Sequence, residues 1–360
     1  MKRISLALLL ALSLVPELKA QRADAVDAII RDFIRRRNIP AAAIAIVRRG
    51  RVVKVAGYGV ANLELNIAAT GHSAFEIGSI TKQFTAEAVM MLVEEGKLTL
   101  DDPIARYLPD LPDEWREIRL RHLLTHTSGL HDWEGDSAFS YRREYTTEEF
   151  VAFVARRPLD FTPGSRFGYS NSAYPLLGKI VEQVSGVPYE RFARERIFTP
   201  AGMTETRLRD NTRLLPNRAS GYVDQQGVLI NGEPLRPAIL APNGGVVSTA
   251  ADMARWLMAL DAGTLVKPAT LALMMAPTRL GDGSLFPGGI AWFLGDVKGH
   301  RMSVHNGSTV AGYSSVVYRF PDDELSVVVL LNIDRFDAVN VLASDIAAHY
   351  FRAKGAGTSR

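Results

Sequence analysis

Ala41-Ala42-Ala43-Ile44-Ala45-Ile46-Val47-Arg48-Arg49-Gly50-Arg51-Val52-Val53-Lys54-Val55-Ala56-Gly57-Tyr58 is the stretch on which the fold turns. Residues 41–47 and 52–58 are two apolar, β-type runs, and Arg49-Gly50 between them is a turn signal, so the segment predicts a hairpin. A second pair lies near the other end of the chain. Residues 313–320 and 325–333 flank Pro321-Asp322-Asp323, again turn chemistry. Outside these pairs sit two helical patterns, residues 24–37 and 337–350. In the first, Val26, Ile29, Ile30 and Phe33 share one face while Arg31, Arg35 and Arg36 fall elsewhere. Helix, strands, a long middle, strands, helix predicts an α+β fold: an antiparallel sheet built from both chain ends, with the terminal helices covering one face.

The middle, roughly residues 65–240, reads as a mainly helical insertion. Residues 78–95 form a strongly apolar helical pattern stopped by Gly96, and residues 147–155, 173–185 and 188–197 are further helices. Pro109, Pro112, Pro163-Gly164 and the prolines from Pro234 to Pro242 punctuate the loops. A chain of 360 residues with 47% hydrophobic and 22% charged residues can bury a large core. There are no cysteines, which removes disulfides, thiol catalysis and thiolate metal sites. The formal net charge of +3 gives no electrostatic case for nucleic acid.

Residues 1–20 read as an export signal: Lys2-Arg3, an apolar run over residues 4–15, then Pro16 and a cut expected after Leu18-Lys19-Ala20. The expected mature unit is a single catalytic domain over residues 21–355, periplasmic or secreted. No later segment is apolar enough to span a bilayer.

Three short motifs carry the chemistry. Ser79-Ile80-Thr81-Lys82 opens a helix after Gly78, and residues three apart share a helical face, so the Lys82 amine reaches the Ser79 hydroxyl. A serine hydroxyl needs a neighbouring base, and a lysine serves when burial keeps it partly neutral. On its own the motif is weak, because about one Ser-x-x-Lys is expected by chance in a chain of this composition. Tyr169-Ser170-Asn171 follows Thr162-Pro163-Gly164; in an extended segment Tyr169 and Asn171 point the same way. A tyrosine beside a lysine can have its phenolate stabilised and move protons; the bland alternative is a loop tyrosine packing its ring and an asparagine capping the next helix. His305-Asn306-Gly307 continues the strand 301–304, where a glycine marks close approach by a ligand or another backbone.

The motifs occur in this order with distinctive flanks: Phe75-Glu76-Ile77-Gly78 before Ser79, Leu123-Leu124-Thr125-His126-Thr127-Ser128-Gly129-Leu130, and Asn243-Gly244-Gly245-Val246-Val247-Ser248-Thr249. Together they resemble the family of class C β-lactamases, serine D-alanyl-D-alanine carboxypeptidases and related esterases and D-aminopeptidases, from about Asp24 to Tyr350. The resemblance implies that Ser79 attacks a carbonyl and holds the acyl group, and that Lys82 and Tyr169 shuttle its proton. It implies that Asn171 bonds the substrate amide, and that His305 faces the substrate carboxylate or Tyr169. The backbone N–H groups of Ser79 and Ser308 would form the oxyanion hole, worth roughly 3–4 kcal/mol per donor. The β-lactamases of that family carry lysine where this chain has His305. A histidine, with an ordinary pKa of about 6.5, holds a carboxylate less well, which favours a peptidase, esterase or amidase.

The substrate is a small molecule or peptide; no cofactor or metal is expected. His122, His126 and His131 with Asp132 lack the spacing of a zinc hydrolase and match a structural loop of the family. There is no Gly-x-Ser-x-Gly, which argues against a nucleophile elbow on a parallel sheet. The competing function is a catalytically weak peptidoglycan or β-lactam sensor on the same scaffold.

Overall fold

The computed structural model describes residues 14–108 and 110–351. Its centre is a seven-stranded antiparallel sheet. The strands are β1 (Ala41–Arg48), β2 (Arg51–Asn62), β3 (Ile67–Ala68), β4 (Phe293–Val297), β5 (His300–Thr309), β6 (Tyr313–Phe320) and β7 (Leu325–Leu331), in the order β4-β5-β6-β7-β1-β2-β3. The first strand therefore lies beside the last, with Ala42, Ile44 and Ile46 opposite Leu331, Val329 and Val327. At the Arg49-Gly50 turn both residues have positive φ, 52° and 67°, the pattern of a two-residue hairpin loop that matches strand twist.

Successive side chains of a strand point to opposite faces, so a strand buried on both sides is apolar throughout. In β1, Ala42, Ile44 and Ile46 join the core formed with helices α1 (Leu14–Arg36) and α5 (Phe336–Tyr350). Ala41, Ala43, Ala45 and Val47 join the other core, shared with α2 (Thr81–Glu94), α3 (Ala173–Ser185) and α4 (Ala250–Asp261). The alanines on this second face keep the sheet surface low enough for α4 to lie directly on β1. Each Ile, Val or Leu fully buried this way stabilises the fold by roughly 1.5–3 kcal/mol over leaving it in water.

The α+β architecture is the one the sequence predicts, with differences at particular elements. Helix α1 begins at Leu14 rather than near residue 24, so residues 18–20, where the export cut is expected, lie within it; residues 1–13 of the expected signal fall outside the described residues. The middle of the chain holds short strands as well as helices. Phe75–Glu76, Val246–Ser248 and Arg207–Leu208 make a small antiparallel sheet, and Tyr222–Gln225 pairs with Val228–Asn231. Strand β4 has no counterpart in the sequence reading. No helix among the described residues is long and apolar enough to cross a membrane.

Candidate active site

The turn Gly78–Ile80 is a 3-10 turn that runs into α2. It is pinned on two sides. The Ser315 hydroxyl donates to the Ile77 carbonyl at 2.7 Å, and the Ile77 N–H donates to the Val246 carbonyl at 3.1 Å. Two glycines admit this packing. A methyl on Gly307 would stand 2.0 Å from the Ile77 carbonyl oxygen, and one on Gly78, whose φ is +52°, would stand 2.7 Å from the Ser308 nitrogen. Strand β5 can thus press its backbone against the turn, bringing the Ser308 nitrogen beside the turn that carries Ser79. The glycine in the strand interior marks a close backbone approach, as its position predicts.

Lys82 is fully buried one helical turn beyond Ser79. Its Nζ donates to Ser79 Oγ at 2.9 Å, to Asn171 Oδ1 at 2.8 Å and to the Asn243 carbonyl at 3.2 Å. Burial lowers its pKa to about 7, against the opposing pull of Asp132 and Glu134. At neutral pH roughly half of it is then an uncharged amine. The Tyr169 phenol lies near the Ser79 side chain and interacts with it. Its pKa is pushed up by burial and, less strongly, by Glu134 and Asp132, with the Ser79 interaction opposing. The sequence reading had a lysine stabilising a phenolate. In the structure burial leaves the lysine only partly charged and holds the phenol's pKa up, so Tyr169 stays a neutral phenol that can pass a proton without holding a charge.

Asn171 has its polar atoms committed within the protein. Besides the contact from Lys82, its Nδ2 donates to Asp132 Oδ2 at 3.0 Å and to Glu134 Oε2 at 2.5 Å. The amide therefore orients the lysine and has no spare donor for a substrate in this arrangement. His305, 2% exposed, lies on β5 with its Nδ1 2.7 Å from the Asn306 carbonyl. Burial, then repulsion from Lys82, lowers its pKa to about 3. It is neutral at pH 7, and its proton sits on Nδ1 because a carbonyl can only accept.

His126 carries a role that sequence spacing did not suggest. Its carbonyl accepts the Gly168 N–H at 2.9 Å and its Nδ1 accepts the Ser170 N–H at 3.2 Å. Its ring stacks on Tyr169 with centroids 4.2 Å apart and planes at 23°. It holds the tyrosine by both chain neighbours and by the ring, from a backbone φ of +56°. His126→Ala is expected to lower kcat about 10- to 100-fold with little change in KM, since small misplacements of a proton-transfer group cost rate rather than binding. His126→Asn, which restores an acceptor and tolerates the left-handed backbone, should recover part of it. Steady-state kinetics with nitrophenyl butyrate beside a thermal melt would check this; a loss that merely follows the folded fraction would show that His126 only supports the loop.

Ser79, Tyr169, Asn171, His305 and Ser308 line one cleft of about 490 Å³. Trp133, Tyr141, Phe167 and Phe293 give it apolar walls, so the loop at residues 132–145 contributes, and Phe293 comes from β4, which the sequence did not announce. The three histidines of the suspected cluster face different partners: His122 Nδ1 meets the Arg119 N–H at 3.2 Å, His126 meets Ser170, and His131 Nδ1 lies 3.2 Å from Asp160.

Three comparisons place the chain. The Beta-lactamase family model matches residues 26–350. Penicillin-binding protein 4* of Bacillus subtilis (strain 168) is 31% identical over 278 residues, which cover 72% of this chain and 61% of that protein; the chain thus spans less than two thirds of this relative. The solved structure of D-amino acid amidase from Ochrobactrum anthropi SV3, complexed with L-phenylalanine, superposes with a TM-score of 0.81 at 27% identity, covering 91% of this chain and 98% of that one. The octameric penicillin-binding protein homologue from Pyrococcus abyssi superposes with a TM-score of 0.77 at 29% identity, covering 91% and 76%. With a family match running across nearly all of the described residues, the chain belongs to the Beta-lactamase family.

Proposed function

We propose that the protein is a serine hydrolase that cleaves an amide or ester through an acyl-enzyme on Ser79. The observation that carries this reading is the fully buried Lys82 amine, 2.9 Å from the Ser79 hydroxyl and with a pKa near neutrality. The uncharged amine removes the Ser79 proton as Oγ attacks the substrate carbonyl, and the tetrahedral oxyanion is held by the Ser79 and Ser308 N–H groups. Collapse breaks the bond to the leaving group, which takes the proton through Tyr169. Water then attacks the acyl-enzyme, giving its proton to the same base and returning Ser79 as a hydroxyl. The penicillin-binding proteins and the amidase among the relatives support hydrolysis as the reaction class. The charged start and apolar run of residues 1–20 support action outside the cytoplasm.

A fluorophosphonate is expected to form a stable adduct on the Ser79 peptide, read by mass spectrometry, and nitrophenyl butyrate to be hydrolysed. Labelling elsewhere, or no labelling, would remove the hydrolase reading; labelling without turnover of any ester or amide would leave a sensor.

A further inference from the structure

Tyr169 hands its proton to the departing group, so whatever leaves must lie beside its ring. The surroundings of that ring in the cleft are aromatic. Phe293, at the head of β4, has its ring centroid 6.4 Å from that of Tyr169 and 5.5 Å from that of His305. Phe167, two residues before Tyr169, meets Phe293 edge-on at 6.0 Å with planes at 86°. Phe286 stacks on Phe167 at 3.9 Å with planes at 11°. Phe167 and Phe293 both line the cleft, and both are only half-buried. Apolar ring surface left in water beside the reacting bond gains free energy when an apolar body covers it. The rings already hold one another in place, so covering them costs little further ordering.

The polar groups nearby point the same way. His305 is neutral with its proton on Nδ1, so its unpartnered Nε2 presents a lone pair and offers an anion no hydrogen. Arg209, the fixed cation among the cleft-lining residues, is held by Glu76 at 3.2 Å. The cleft has unpartnered donors in Trp133 Nε1 and Thr309 Oγ1, but both belong to other parts of it. Trp133 packs on Phe139 and Tyr141 within its own loop. Thr309 lies beyond the part of β5 that pairs with β4, which runs from His300 to Val304.

We propose that Phe293 and Phe167 form the leaving-group wall of the site, and that the preferred substrates release an uncharged aromatic alcohol or amine. The inference rests on the hydrolase reading above and narrows its substrate. It also departs from the expectation that His305 faces a substrate carboxylate, because a carboxylate on the departing group would meet ring faces and a lone pair.

The test uses three butyrate esters on the intact protein: benzyl, methyl and carboxymethyl, the last leaving as glycolate. Benzyl alcohol and methanol are similar in acidity, and all three esters deliver the same butyryl-enzyme. Differences in kcat/KM therefore belong to recognition of the leaving group, not to deacylation. Benzyl butyrate is expected to exceed methyl butyrate about 10- to 100-fold, the range for burying one phenyl group, with carboxymethyl butyrate at or below methyl. Phe293→Ala should cut the benzyl-to-methyl ratio about tenfold, and Phe167→Ala should lower it as well. The ratio of methyl butyrate to methyl acetate, which reads the acyl side, should stay constant in both. If Phe293→Ala does not fold, Phe293→Leu removes the ring while keeping most of the volume and reads the same ratio. A wild-type benzyl-to-methyl ratio near one would overturn the wall. So would a ratio unchanged in the variants, or a preference for carboxymethyl over benzyl butyrate. If Ser79 is labelled and methyl butyrate is hydrolysed while the wild-type ratio is one, only this inference falls; if labelling and turnover are both absent, the hydrolase reading falls with it.

Discussion

Ser79→Ala is expected to lower kcat/KM for nitrophenyl butyrate by about 10,000-fold or more and to abolish the fluorophosphonate adduct, the scale on which removal of a covalent nucleophile acts. The substitution deletes one oxygen from a half-buried side chain and leaves Lys82 bonded to Asn171 and to the Asn243 carbonyl. The melting temperature should therefore stay close to that of the wild type, which separates chemistry from folding. Turnover surviving at a tenth of the original rate would mean that another group attacks the carbonyl.

Lys82→Met is the second large effect, a fall of about 1,000-fold, within the range for loss of a general base. Methionine keeps most of the volume and removes the charge that burial disfavours, so the core remains filled. The pH profile adds a sharper test. The folded-state pKa of Lys82 is lowered from 10.5 to about 7, so the reactive, uncharged form grows as pH rises and is mostly present above neutrality. In the wild type kcat/KM should climb about tenfold per pH unit below that value and flatten above it. The same shift implies that stability rises from about pH 7 toward the unfolded lysine value, because over that window the unfolded chain binds the extra proton. His305, lowered to about 3, does not titrate in this range. Glu87, buried on α2 and raised to about 8, does, but it is bonded to the Trp256 indole and not to Ser79 or Lys82. Glu87→Gln should leave the inflection near 7 in place, and a loss of the inflection in that variant would reassign it.

Much of this was legible from sequence where one element decides the matter. The β1–β2 hairpin follows from apolar runs around Arg49-Gly50, and the Ser79–Lys82 contact follows from helical spacing alone. What escaped depends on loops whose geometry no periodicity encodes. Glu134 and Asp132 reach Asn171 across 37 and 39 residues, and His126 reaches Ser170 across 44. Strand β4, Phe-Leu-Gly-Asp-Val, contains a glycine and an aspartate that weaken a strand signal, and pairing with β5 overrides them. The Tyr222–Gln225 hairpin turns at Gln226-Gly227, both at positive φ, without the Asn or Asp that usually announces such a turn.

The adjacency of β1 and β7 has a consequence for how the molecule comes into being. The Ala41 N–H donates to the Asn332 side chain at 2.7 Å, across 291 residues of chain. During synthesis β1 emerges early and must wait, with one edge unpaired, until almost the entire polypeptide has been made. Contacts of such long range slow folding and leave apolar edges open to wrong partners. A nascent chain wired this way keeps the β1 edge open to premature association until β7 arrives, and a ribosome that stops before β7 releases a product whose sheet has no middle.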